Sequence, residues 1–581
     1  MTNNSAKVIG NLLSERSKFI LIGLTGRTGS GCTTAASILE QAEPNYPALS
    51  DVKLEGKDYF QGLDCHRYNN IKHFATKNHH KFFSIKVSDL ISAYFFAMPD
   101  IALIEFISDC ADVDVKAELN KLVTSNNFIQ TRIKSSKYQS ITKKLLNHKS
   151  EERLNEEELS EFILYLTMVR KFTDFFKRQL NEIEAKLYLK AYQAAGNSIR
   201  RTGSIQAGFE SQHFNADSIY HLPETVNKVV KLIRKLQHRE NKPCYVVIDA
   251  IRNPYEAKFF KDRYSAFYLV SINAPNLDRK KYLQNVHKYS VDQFDDLEKK
   301  ESGEAEGSYA DLISQNVKRC IEISDIHIFN PRKEAGNHNV LKAQLAWYVS
   351  LMQHPGLITP TALERVMQIA YTAKMNSGCI SRQVGAVITD SDYSIKAVGW
   401  NDVPKGQVPC NLRSLEALKS SFDPVEYSHY ERNNEKFRNA ANLQLITFLP
   451  IHNETGRPLS YCFKSIKNGI DDNKNQVHTR SLHAEENAFL QITKYGGMGV
   501  QGGKLFTTAS PCELCSKKAY QLGISEVVFI DPYPGIAIDH ILSIGSNPPK
   551  LTQFRGAVGK GYHHLYEPLM PYKDELSYLA N

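Results

Sequence analysis

The sequence predicts an α/β protein built as two successive domains, on three observations. Near its start an apolar stretch runs directly into a glycine-rich turn and a helical stretch. Apolar strands then alternate with helical periodicity twice over, before and after a Pro- and Gly-containing stretch at residues 354–361. In the second half a His-x-Glu pair precedes a Pro-Cys-x-x-Cys turn, a grouping that points to metal chemistry.

The first domain is expected over residues 1–353. Lys18 to Leu24 (KFILIGL) reads as a buried strand, Gly26 to Gly31 as a turn and Thr33 to Gln41 as a helix. A helical insertion is expected at about 115–235, because Glu151 to Ala195 places apolar residues three and four apart among Glu and Lys. Tyr245 to Asp249, Ala266 to Ile272 and Ile326 to Phe329 read as further strands of a parallel sheet. Asn330 to Asn339 reads as a loop, and a helix from Val340 to Met352 closes the domain. The second domain, 354–581, is expected to hold a helix from Ala362 to Met375 and strands Val384 to Thr389 and Ser394 to Gly399. After these come a helix from His483, a strand Lys504 to Thr508, a helix Glu513 to Gly523 and a strand Val527 to Ile530. Residues 402–480 read as a long, polar, irregular insertion near a site.

Composition narrows the function classes. Hydrophobic residues make up 42% and charged residues 23%, as in an ordinary soluble folded chain. The net charge of +9 suits phosphorylated ligands and is too small to argue for nucleic acid by itself. No apolar run approaches the ~20 residues that span a bilayer. The first residues show neither an apolar signal core nor a small-residue cleavage site, so a cytoplasmic protein without membrane attachment is expected. The ten cysteines are scattered rather than framed for disulfides, so closely spaced ones read as metal ligands.

Gly26-Arg27-Thr28-Gly29-Ser30-Gly31-Cys32-Thr33 has the Walker A frame GxxxxG-x-[ST] between a strand and a helix. Glycines let backbone N–H groups turn inward around phosphates, and the helix N-terminus adds attraction. Gly26, Gly29, Ser30, Gly31, Cys32 and Thr33 are therefore candidate phosphate-binding residues. Thr33 stands where a Mg²⁺ ligand would be, and Asp249 ends an apolar strand like a Walker B acid. Cys32 replaces the lysine that bridges terminal phosphates, which should harm phosphoryl transfer more than nucleotide binding. Arg252-Asn253-Pro254, Gly196 to Arg200 and Asp325 to Asn330 add weak support for a nucleoside monophosphate kinase-like fold. A purely structural glycine turn is the alternative.

In the second half, His483-Ala484-Glu485 and Pro511-Cys512-Glu513-Leu514-Cys515 supply one imidazole and two thiolates. Together His483, Cys512 and Cys515 fill three of zinc's four tetrahedral positions and leave one for water. Bound zinc would lower the pKa of that water to about 7. Glu485 follows the histidine by two residues, so it reaches the same place without ligating and is the candidate proton carrier. Cys515 lies one helical turn after Cys512, and Pro511 and the helix N-terminus suit a thiolate there. A structural zinc site, or unrelated cysteines with a core histidine, is the alternative.

On these residues the segment from about 360 to 570 resembles the deoxycytidylate deaminase branch of the zinc deaminases, whose signature combines this histidine, glutamate and cysteine pair. Val384 to Ile388 (VGAVI) and Gly399-Trp400-Asn401 match the family's strand and turn. The resemblance implies a cytidine-deaminase-like α/β/α domain. It implies that Asn401 binds the substrate sugar, that Ala484 offers a backbone N–H to the base and that Tyr533 helps form the pocket. Arg382 falls where the family places phosphate contacts, with a role-free exposed arginine as the alternative. Cys379 and Cys410 fall where some members bind a second zinc. His478 is a candidate third ligand, although it lies closer to His483 than is usual, and two unliganded cysteines are the alternative.

A P-loop domain ahead of such a deaminase resembles the bacterial phage-defence deoxycytidylate deaminases. That resemblance covers nearly the whole chain. It implies destruction of deoxycytidine nucleotides during infection, an inhibitory small RNA encoded nearby and a homo-oligomer. The reading is therefore Zn²⁺-dependent deamination of dCMP or dCTP, controlled by the P-loop domain through a nucleotide effector, with Mg²⁺ accompanying the nucleotide. Three other readings stay open: a polynucleotide cytosine deaminase, a nucleotide-sensing or RNA-binding module, and a working kinase, against which Cys32 argues.

Overall fold

The computed structural model describes residues 4–148, 153–287, 289–302, 310–332, 337–421, 423–473, 475–496, 499–531 and 536–580. The chain forms two compact units, one of Met1–Thr359 with His563–Asn581 and one of Pro360–Tyr562. The expected division at 353/354 therefore differs in two ways. The boundary falls a few residues later, and the last residues return to the first unit. There the helix Tyr572–Ala580 packs on the helix Asn4–Ser17, a pairing no local pattern announces.

In the first unit five parallel strands, β1 (Phe19–Thr25), β2 (Phe83–Lys86), β3 (Cys244–Asp249), β4 (Phe267–Asn273) and β5 (Ile326–Phe329), run in the order β5-β4-β1-β3-β2. In the central strand β1, Leu21 pairs Val246 on one side and Phe267 on the other. Strands β1, β3 and β4 are buried at every residue, which is why their sequences are continuous apolar runs. Strand β2 (FSIK) is only partly buried beside β3, so its mixed pattern gave no strand signal. The expected helical insertion is real but differently bounded. Helices run from Val87 onward and bury Phe95, Phe106, Phe172 and Phe176 in a core of their own. The long helix Glu156–Ile183 starts at an Asn155 capping box. The helix His221–Arg239 is not inserted: its Val226, Val229 and Val230 pack with Leu21, Val246 and Leu269 of the sheet.

The second unit holds β6 (Gly385–Thr389), β7 (Ile395–Trp400), β8 (Lys504–Ala509), β9 (Glu526–Asp531) and β10 (Lys550–Gln553), in the order β10-β9-β8-β6-β7. β6 is antiparallel to β7 and β8, whereas β8, β9 and β10 are mutually parallel. Successive residues bury on opposite faces, as a period of two requires. Ala386, Ile388, Leu505 and Val527 pack on one side with Ala484, Ala488 and Ala519. Val387, Phe506 and Val528 pack on the other with Val366, Met367 and Ala370. Helices thus cover both faces of the sheet.

Residues 402–480, expected to be irregular, are instead largely helical, including Leu415–Ser420, Glu435–Thr455 and Phe463–Asp471. They bury Leu418, Phe437, Leu445 and Tyr461 on one another. That small core also encloses an Arg413–Glu431 ion pair whose side chains are both fully buried. Its apolar residues serve a private core rather than the sheet, which is why they looked sparse along the sequence.

Candidate metal centre and phosphate loop

The helix Ala484–Tyr495 begins directly after His483, and the helix Glu513–Gln521 directly after Cys512. Gly399 of β7 lets the first helix approach closely: a Cβ there would meet the Ala484 carbonyl at 2.2 Å and the Ala488 nitrogen at 2.6 Å. Two helix starts therefore converge beside the ends of β7 and β8. His483 Nδ1 lies 3.2 Å from Cys512 Sγ and 3.5 Å from Cys515 Sγ. The three ligand atoms all lie within 4.8 Å of one another, and this is the one such cluster of His, Cys, Asp or Glu among the described residues. One nitrogen and two sulfurs at that mutual distance suit a tetrahedral zinc ion. The hydrogen bond from Cys515 and, second to burial, the contact with His483 hold the Cys512 thiol down at about 3, while Cys515, as donor and buried, is pushed up.

Glu485 is 4% exposed, and burial raises its carboxyl above the ordinary glutamate value. The Thr507 hydroxyl on β8 lies 3.1 Å from Glu485 Oε1 and 2.7 Å from the Ala509 carbonyl, either of which it can donate to. Asn487, one turn into the helix, donates to the Trp400 carbonyl at 3.0 Å and ties the helix to the end of β7. Thr507 and Asn487 were not anticipated, because their relevance depends on which strand end faces this helix.

The expected substrate contacts fare differently. Ala484 is fully buried at the head of its helix, where a backbone N–H has no intrahelical partner. The Asn401 side chain is engaged on both atoms: Nδ2 donates to the Arg382 carbonyl at 2.8 Å, and Oδ1 accepts from the Val384 N–H at 2.7 Å. Its first role here is to pin the segment entering β6, which a sugar-binding expectation did not include. Arg382 Nη2 pairs with the buried Asp531 Oδ2 at 3.0 Å, so its charge already has a partner within the protein. Tyr533 lies outside the described residues.

The second metal set does not assemble as expected. His478 Nε2 faces Asp471 Oδ2 at 3.8 Å, and Cys379, Cys410 and His478 do not form a ligand cluster. Burial raises the Cys410 thiol. The histidine sits on the 402–480 insertion, whose helical packing turns it toward Asp471.

In the first unit the turn after β1 leads into the helix Cys32–Leu39. Gly29 and Gly31 have φ of +85° and +113°, which side chains rarely adopt. A Cβ on Gly31 would also meet Asn330 Nδ2 at 2.2 Å. Asn330 donates to the Ser30 carbonyl at 2.7 Å and Arg332 Nε to the Gly29 carbonyl at 2.8 Å, so the segment after β5 braces the loop. A cavity of about 520 Å³ is lined by Gly29, Gly31, Cys32, Thr33 and Asp249. Gly26 and Ser30 shape the turn without lining the cavity. Burial, then the charge of Asp249, pushes the Cys32 thiol up to about 12, so it stays neutral and adds no charge in place of a lysine. Asp249 is itself raised by burial, against a hydrogen bond from Thr33.

A triad that could hold a metal ion thus lies beside a buried carboxyl in a helix-covered mixed sheet. Residues 360–531 match the family model described as the cytidine and deoxycytidylate deaminase zinc-binding region. The deoxycytidylate deaminase of Enterobacteria phage T2 is 28% identical over 171 residues, 29% of this chain and 79% of the relative. That of Schizosaccharomyces pombe is 25% identical over 241 residues, 39% of this chain and 58% of the relative. A crystal structure of the dCMP deaminase from cyanophage S-TIM5 aligns at 20% identity and a TM-score of 0.21, covering 34% of this chain and all of that one. The match over residues 360–531 and the named relatives support a deaminase hydrolase. No helix among the described residues is long and apolar enough to cross a membrane.

Proposed function

We propose that the second unit hydrolyses the amino group of a free deoxycytidine nucleotide, dCMP or dCTP, to give the deoxyuridine nucleotide and ammonia. The observation that carries this is the convergence of His483, Cys512 and Cys515 within 4.8 Å beside the buried Glu485. These three side chains would hold a zinc ion, which when bound supplies Lewis-acid activation of water. Glu485 takes a proton from the attacking water and delivers it to N3 of the ring as the C4–O bond forms, then takes the second proton from the new C4 hydroxyl and passes it to the amine, which leaves as ammonia when the C4–N bond breaks. Thr507 orients the carboxyl for both transfers. Asn401 holds the segment carrying Arg382 in place and presents its remaining hydrogen-bonding capacity toward the sugar. The named relatives are deoxycytidylate deaminases, which favours a nucleotide over a polynucleotide.

The loop at residues 26–31 binds the phosphates of a nucleotide effector without transferring them, and occupancy there controls deamination. The glycine frame supports binding, and the neutral thiol at Cys32 argues against transfer. Thr33 and Asp249 are the residues that would hold an accompanying Mg²⁺ ion. Depletion of deoxycytidine nucleotides by this activity would starve phage replication, as the phage-defence resemblance implies.

The test is ammonia release by the purified chain, with a deoxyuridine product, on dCMP, dCTP, CMP, CTP and cytosine-containing single-stranded DNA. Turnover of the deoxynucleotides is expected. Turnover of the DNA alone would replace this reading with a polynucleotide deaminase, and equal turnover of CTP and dCTP would remove the sugar contact.

A further inference from the structure

The helix Val291–Ser302 lays two carboxylates against the phosphate loop. Glu298 pairs with Arg27 at 2.5 Å and with Arg279. Glu301, only 2% exposed, goes deeper. Its two carboxylate oxygens accept the Thr28 backbone N–H at 2.9 and 3.1 Å, and it also accepts the Thr28 hydroxyl. Arg252 Nη1 lies 2.7 Å from Glu301 and 3.1 Å from Thr28 Oγ1. A loop amide, a hydroxyl and a guanidinium are the donors that a phosphate oxygen takes. Here a carboxylate of the same chain already has them.

The cavity reached from this loop has the size of a small-molecule site, about 520 Å³. Besides the loop its walls include Lys86, Lys177 and Arg252, as well as Tyr188 and Tyr192. Cations and aromatic rings lining one cavity, with Lys177 Nζ 5.5 Å from the Tyr188 ring centroid, suit a ligand that carries both phosphates and a planar base.

We infer that Glu301 is an internal stand-in for a ligand phosphate on the 26–31 loop, and that a nucleoside polyphosphate must displace it and then takes Arg252 as the cation missing at Cys32. This rests on the proposal above that the loop binds phosphate. Carboxylate and phosphate need the same donors, so their occupancy is mutually exclusive. The closed population therefore weakens the apparent affinity by the fraction of molecules that are open. Arg252 serves both states: it holds Glu301 in one and the phosphate in the other.

Binding of ATP, dCTP and inorganic tripolyphosphate, each with Mg²⁺, is measured by isothermal titration calorimetry on the full chain. Wild type is compared with Glu301→Gln, Arg252→Gln and Arg252→Lys. Glu301→Gln keeps the shape and an acceptor for the Thr28 amide but removes the competing charge. Its Kd for a nucleotide should fall by about tenfold or more, in line with a charged hydrogen bond. Arg252→Gln should weaken binding by about tenfold or more, and Arg252→Lys should restore most of it. Melting curves check that each variant is folded. Should Arg252→Gln not fold, Glu301→Gln and Arg252→Lys carry the test. Nucleotide binding by wild type with an unchanged Kd in Glu301→Gln overturns the inference and leaves the loop as a phosphate site. No binding by either protein overturns the loop reading itself. Tripolyphosphate binding as tightly as the nucleotides overturns the nucleoside part.

Discussion

Asn401 separates a positioning role from a purely ligand-binding one. Replacing it with alanine removes the amide that donates to the Arg382 carbonyl and the oxygen that accepts the Val384 N–H. Asn401 is 9% exposed, so both bonds lie largely out of water. Each costs about 1 kcal/mol net when lost, and more where the partner stays buried without a replacement, so a loss of about 2–3 kcal/mol is expected. For a unit of this size about 1 kcal/mol moves the melting temperature by about 2–4 °C, giving a drop of about 4–12 °C. Because the freed segment carries Arg382 and leads into β6, kcat should fall together with the rise in KM. Asn401→Asp should not rescue, since it sets a carboxylate oxygen against the Arg382 carbonyl. The assay is differential scanning fluorimetry beside steady-state ammonia release. A melting temperature within about 1 °C of wild type, with the loss confined to KM, would refute the positioning role.

Three further outcomes are expected. Glu485→Ala should abolish deamination while zinc content by atomic emission stays at the wild-type level, because Glu485 carries protons and is not a ligand; near-normal turnover would remove it from the mechanism. Cys512→Ala should lose both zinc and activity, since two protein ligands seldom retain a catalytic zinc, and full occupancy in this variant would point to other ligands. Glu431→Gln leaves Arg413 buried without its counter-ion and should destabilise the second unit by about 3–5 kcal/mol. Burial alone would raise the Glu431 carboxyl, but Arg413 and the bonds from Ser428 and Tyr461 outweigh it and hold it below the ordinary value of 4.5. The pair therefore contributes fully above that value, and its contribution is lost as pH falls through the lower folded-state value. Melting curves of wild type and variant should converge on acidification below pH 4.5, and a constant gap would contradict this account.

Both candidate sites were legible where their chemistry is local. The glycine spacing from Gly26 to Gly31 marks a turn because only glycine takes the backbone angles needed at Gly29 and Gly31. Cys512 and Cys515, three apart at a helix start, were placed on one face by spacing alone, and His483 with Glu485 were marked by their closeness at another helix start. Buried strands such as β1 and β3 were equally legible as unbroken apolar runs. Strands β2 and β10 lacked that signal because their residues are only partly buried.

What remained belongs to the tertiary structure, because it depends on which distant backbones meet. No spacing relates Thr507 to Glu485, or Asp531 to Arg382, yet parallel pairing of β8 with β9 and the close approach at Gly399 put them in reach. The family resemblance implied a sugar contact for Asn401; only the fold showed both of its amide atoms taken by backbone. His478 was set aside from Cys379 and Cys410 by the packing of an insertion whose own core could not be seen along the chain. Residue by residue, the sequence determined the reactive groups and their local spacing, since backbone periodicity is short-ranged. The fold decided their partners, since a buried charge or amide must be satisfied by whatever group packing brings beside it, as Glu301 is on the loop that the glycines built.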